Sequence, residues 1–163
     1  MLNALRFVHL FSVAVWVGGL VFFSFFVTPA IFTALPRELA GDLVSTLFPK
    51  YWAFGYAAGL VSIASILALS FKEKFFPRLR IALLVLMTGL TMYSGMVIGP
   101  SARQVRLELK SASEPGRALE LKALFRREHM KSYAINMAVM AAGAAFIFLT
   151  ARNAALKASG KQP

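Results

Sequence analysis

The sequence predicts an all-α fold, an integral membrane four-helix bundle, and three observations carry that prediction. The chain of 163 residues is 58% hydrophobic with a mean hydropathy of +0.67, too apolar for a water-soluble domain of this length. It contains four runs free of Asp, Glu, Lys and Arg, at 7–32, 51–71, 81–99 and 132–151. Each has roughly the 20 residues or more that a spanning helix requires. None alternates apolar and polar residues with period two, which argues against a β-barrel. One membrane domain, 1–163, is therefore expected, with spans at about 5–33, 50–71, 80–100 and 130–151.

The first span is the longest. At about 1.5 Å of rise per residue, 7–32 makes a helix of roughly 39 Å, enough to cross about 30 Å of hydrocarbon with some tilt. It is too long for the apolar region of a signal peptide and no clear A-x-A site follows it, so it reads as a retained helix. Its one ionisable side chain is His9. His9, Ser12, Trp16, Gly19 and Phe23 fall on one helical stripe. A histidine in hydrocarbon is costly unless it faces the bundle interior or finds a partner. It either hydrogen-bonds a neighbouring helix or holds a ligand.

Between the first two spans lies LPRELAGDLVSTLFPKYW. Pro36 suits a helix start and Pro49 a helix end. Leu39, Leu43 and Leu47 recur at i, i+4 and i+8, with Arg37, Glu38 and Asp42 elsewhere. That pattern predicts a short amphipathic helix at about 36–48, lying in the membrane interface.

The second and third spans carry small residues four apart, Gly55/Gly59 and Gly95/Gly99. Such pairs let helix backbones approach closely in lipid. They serve packing inside the bundle or, alternatively, a homodimer. The loop 100–131 is longer than a connector needs, and it reads as a water-exposed helical hairpin at about 101–129 that extends spans three and four.

The fourth helix opens with FRREHMKSYAINM, in which His129, Ser132 and Asn136 form one polar stripe. Four spans put the termini and the loop 72–80 on one side, A, and the other two loops on side B. His9 enters from side A and the His129 stripe from side B, on the order of 25 Å apart by helix rise. The two histidines should not share a metal ion. No carboxylate sits inside any span, so no catalytic constellation assembles. Met92 and Met96 of the third span lie near His129, Met130, Met137 and Met140 of the fourth, a candidate soft-ligand group for Cu(I). Methionine is also ordinary core filler. Arg37 and Arg103 on side B would form an anion-attracting mouth or contact lipid phosphates.

The net charge of +11 comes from basic islands between spans, the normal flanks of membrane helices, and argues against nucleic acid as a partner. The lipid bilayer is the partner expected. With no cysteine, disulfides, thiolate chemistry and iron–sulfur clusters are excluded. Side A carries eight Lys and Arg and side B ten, so the raw count does not orient the chain. Four basic residues packed into 72–80 favour side A, with both termini, as cytoplasmic in an inner or plasma membrane.

LPR…G…LFPKYW after the first span and FRREHMKSYAIN at the last resemble the transmembrane protein 205-like family of four-span membrane proteins. The matching positions are His9, Trp16, Leu35, Pro36, Arg37, Gly41, Leu47, Phe48, Pro49, Tyr51, Pro100, Arg103, His129, Ser132 and Asn136. HLFSVAVWVGGL also resembles the first helix of the copper-resistance D domain and of the membrane protoporphyrinogen oxidase family. In the latter family the first-helix histidine is implicated in haem binding. These likenesses imply a haem or copper ligand at His9. From the residues themselves, the leading expectation is a protein that binds or transports a small molecule or metal-containing species. Its polar intramembrane pocket would be lined by His9, Ser12 and Trp16 from one side and by His129, Ser132 and Asn136 from the other. A dimerising membrane scaffold without ligand is the alternative.

Overall fold

A computed structural model describes residues 1–159 of the chain. Four long helices make the whole described fold: α1 (Leu2–Ala34), α2 (Arg37–Glu73), α3 (Arg78–Ser111) and α4 (Pro115–Ala158). All four are long and apolar enough to cross a membrane. The architecture is an all-α membrane bundle. In it α1 packs on α2, α2 on α3, α3 on α4, and α4 closes the ring on α1.

The ends of the bundle are fixed by ion pairs. At the end holding the N-terminus, Arg6 donates from Nε and Nη2 to Glu73 Oε1 at 3.0 and 2.8 Å, tying the start of α1 to the finish of α2. Lys74 then takes a left-handed conformation (φ 50°), and Phe75 N–H returns to the Ser70 carbonyl, which stops the helix before Pro77. At the opposite end, α3 and α4 run on as a helical hairpin turning at 112–114, with Val105 and Leu121 buried in it. The guanidinium of Arg106 lies over Gly41, where a Cβ would meet it at 2.6 Å.

The expected interfacial helix differs from what forms. Residues 37–48 are helical, but Pro49 does not end them; α2 continues without a break through it to Glu73. Proline removes one N–H from the ladder, and a membrane helix tolerates that loss when its neighbours brace both halves. Here Phe48 stacks on Trp52 across the proline (centroids 5.2 Å, 21°), and Asp42 anchors the arm to α3. The arm is the first turns of α2, not a separate element.

Close approach at the glycines fills the bundle interior. A Cβ at Gly55 would meet Thr91 at 2.9 Å, and one at Gly59 would meet Thr88 at 2.6 Å and Trp16 at 3.1 Å. Trp16, wholly buried, lies along these two glycines. Gly95 and Gly99 of α3 receive the Trp52 indole in the same way. Both pairs are thus met by side chains of the same chain, Gly55 and Gly59 buried and Gly95 and Gly99 part-buried.

Candidate functional site

The polar residues that point inward separate into two groups. Near the N-terminal end, His9 is 5% exposed and its Nδ1 lies 3.0 Å from Ser65 Oγ and 3.2 Å from the Ser62 carbonyl. The Ser62 carbonyl can only accept, so Nδ1 carries the proton and donates to α2. The Ser65 hydroxyl donates to the same carbonyl at 3.0 Å, and Ser12 Oγ pairs with Ser62 Oγ at 2.9 Å. His9 Nε2 is left as a buried acceptor without a partner among the described residues. The ring packs edge-on against Phe146 (5.7 Å, 72°). Trp16 is likewise enclosed, its Nε1–H buried and unpartnered.

A haem macrocycle does not fit this setting. His9 and Trp16 are already packed against α2, α3 and α4, and Phe54 fills the space at Gly19. Gly18 is open, but it faces outward. His9 joins α1 to α2 through Nδ1, and its Nε2 is used by no neighbour among the described residues.

The second group surrounds a cavity of about 210 Å³ toward the opposite end of the bundle. Its α4 wall carries His129, Ser132 and Asn136, the stripe read from the sequence. Asn136 organises the floor: Tyr51 OH donates to its Oδ1 at 2.7 Å, and its Nδ2 donates to Ser24 Oγ at 2.9 Å. One amide thus links α4 to both α2 and α1. One turn earlier, Ser132 Oγ lies 3.3 Å from Ser94 Oγ on α3. Aromatic rings form the rest of the wall. Phe23 stacks on Tyr51 (4.5 Å, 27°), and Phe48 packs on Tyr51 and Trp52.

Both irregular turns of the fold border this cavity. The π-helical turn Phe23–Val27 of α1 carries Ser24, and the π-helical turn Ser94–Ile98 of α3 begins at Ser94. π-turns are rare insertions that recur at functional sites. Each presents a hydroxyl to the same stretch of α4. The sequence reading missed Ser24 and Ser94, since a π-turn has no spacing signature; Tyr51 appeared there only through a family likeness.

Phe25 and Tyr133 also line the cavity while 58% and 53% exposed, so its mouth lies between α1 and α4 on the outer surface of the bundle. No Asp, Glu, Lys or Arg lines it. Toward the N-terminal end, Leu20 and Val139 close it, with Trp16 beyond them. The one pocket expected from both ends is thus divided: His9, Ser12 and Trp16 do not line the cavity, because the core between them is packed.

Arg37 and Arg103 are exposed and do not line it either. Met92 and Met96 do not line it, and Met96 faces outward, so the thioethers proposed beside His129 are not gathered there; Met137 alone of that group lines the cavity with His129. Among the described residues no cluster of three or more His, Asp or Glu side chains is placed to hold a metal ion.

A family model described as "Domain of unknown function (DUF4149)" matches residues 11–111, which run from α1 to the end of α3 and leave α4 outside. No curated protein and no solved structure matches the chain.

Proposed function

Since the chain belongs to the DUF4149 family, whose description names no activity, we propose a function from its own cavity: it binds a small uncharged molecule taken from the surrounding membrane. The observation that carries this is the cavity's lining, in which hydroxyl, amide and imidazole groups meet aromatic rings and no Asp, Glu, Lys or Arg intrudes. Polar groups at membrane depth are costly, and they mark substrate pathways by default. Pockets of apolar wall with a few convergent polar groups are the usual form of a small-molecule site. The likeness to the transmembrane protein 205-like family points the same way. Its two motifs contribute Phe48, Tyr51, His129, Ser132 and Asn136, and all five line the cavity.

The packed core beyond Leu20 and Val139 favours binding over a continuous channel. The test is native mass spectrometry of the protein released gently from its own membranes. A neutral adduct should accompany the wild type and be lost from Ser132→Phe, which fills the cavity. A wild type that flies without any adduct from every lipid tested contradicts the reading.

A further inference from the structure

The arrangement of donors within the cavity specifies more than neutrality. Asn136 spends Oδ1 on Tyr51 and one Nδ2 proton on Ser24, which leaves its second amide proton free. Ser24 accepts from Asn136 and is itself hydrogen-bonded to the Tyr51 side chain, so the free proton on this side of the cavity is that of the Asn136 amide. One turn along α4, the Ser94 and Ser132 hydroxyls share a single hydrogen bond, so one of their protons is also free. The cavity thus offers two separate donor sites. Ser132 and Asn136 are four residues apart, about 6 Å along the helix axis. That separation suits two acceptor oxygens para to each other across a six-membered ring.

The walls suit the same shape. Beside the donors Phe23 stacks on Tyr51 and Phe48 on Trp52, the two pairs meeting edge to face (Phe48–Tyr51, 79°), an aromatic corner for a flat ring. The mouth between Phe25 and Tyr133 opens on the lipid-facing surface, where a hydrocarbon tail would remain in the bilayer. Ser24 and Asn136 bridge α1 and α4 behind that mouth, part-buried at the cavity floor that a head group entering there would meet.

Resting on the binding-site reading above, we propose that the occupant is a quinone-headed lipid. Its flat head lies in the corner between the Phe23–Tyr51 and Phe48–Trp52 pairs. One carbonyl oxygen accepts from the Asn136 amide, which Ser24 holds in place, and the other from the Ser94/Ser132 pair. The tail leaves laterally between α1 and α4. No redox step is part of the proposal.

The probe is decyl-ubiquinone, titrated into the full chain in phosphatidylcholine nanodiscs and read by tryptophan fluorescence, which quinones quench on contact. The chain has two tryptophans, so Trp16→Phe leaves Trp52 in the cavity wall as sole reporter. Quenching should saturate. In that background Asn136→Leu should weaken it at least tenfold and the milder Ser24→Ala several-fold. If Trp16→Phe does not fold, the wild type serves, with Trp52→Phe as the variant whose saturable component must vanish. Quenching that rises linearly and equally in all variants is collision from the bilayer and overturns the quinone assignment. If it does so while the neutral adduct is still lost on Ser132→Phe, the binding site stands and only the ligand class falls. If both fail, the site itself is refuted.

Discussion

Tyr51 on α2 and Asn136 on α4 are joined by a 2.7 Å hydrogen bond between helices that are 85 residues apart in sequence. Asn136 also donates to Ser24 on α1, so removing its side chain leaves partners on two helices unsatisfied. Interhelical hydrogen bonds in membranes contribute on average about 0.6 and at most about 1.7 kcal/mol each. Asn136→Leu should cost about 1–2 kcal/mol of stability in denaturant titrations, and Tyr51→Phe less. A double-mutant cycle should give a coupling of roughly 0.5–1.5 kcal/mol. Strict additivity would show that the bond adds nothing.

The glycines divide into two classes by what lies over them. Gly59→Ala places a methyl against Thr88 and Trp16 and should destabilise by about 1–3 kcal/mol through overpacking. Gly18→Ala meets nothing within 4 Å. It should be neutral or stabilise by up to about 1 kcal/mol, since alanine is the better helix former. Equal effects at the two sites would contradict the packing described.

The arm of α2 is held to the hairpin at Asp42, which accepts from Lys110 Nζ at 2.7 Å and from Arg106 Nη2 at 3.0 Å. The Lys110 hydrogen bond, followed by the positive charges of Lys110 and Arg106, holds the Asp42 carboxyl below the usual carboxylate range. A carboxylate depressed in the folded state stabilises fully above its ordinary pKa and loses that contribution as pH falls through the lowered value. Protease sensitivity at 112–114 should therefore be flat at neutral pH and rise only under strongly acid conditions. Asp42→Asn should raise it at pH 7, and high salt should narrow the difference because the pair is exposed. A wild-type profile that changes between pH 6 and 8 would contradict this assignment.

Four antiparallel spans put position 74 and position 159 on one membrane face and position 113 on the other. With no native cysteine, single variants Lys74→Cys, Ser159→Cys and Ser113→Cys report cleanly. An impermeant maleimide applied from one face should label the first two together and the third only from the opposite face. Lys74 and Ser159 labelled from different faces would refute the four-span topology.

What could be read in advance follows from which forces act locally. Charge-free length alone identified the four spans, because hydrocarbon excludes charge whatever the tertiary arrangement. The Ser132/Asn136 stripe was legible from i, i+4 spacing, since that spacing fixes a face before any partner is known. The Pro49 break did not occur, because whether proline ends a helix depends on what braces it, here Phe48 stacked on Trp52. Ser24 and Ser94 became visible only with the two π-turns, whose register shifts leave no mark in residue order. The partners of Gly95 and Gly99 are likewise a matter of tertiary contact: the spacing announces a close approach, but not that Trp52 makes it.

The most direct test of a membrane-accessible cavity uses cysteine placed inside it. Ser132→Cys lies on the cavity wall, whereas Ser62→Cys lies in the closed core with no exposure. N-ethylmaleimide, small and uncharged, should modify Ser132→Cys in intact membranes and leave Ser62→Cys unmodified. Ser132→Phe shows what filling the space does to bound ligand, while this pair shows whether the space is reachable. Reaction at position 132 at least tenfold faster than at position 62 is the predicted result. Two cysteines equally inert in the folded protein would contradict the cavity on which the function rests.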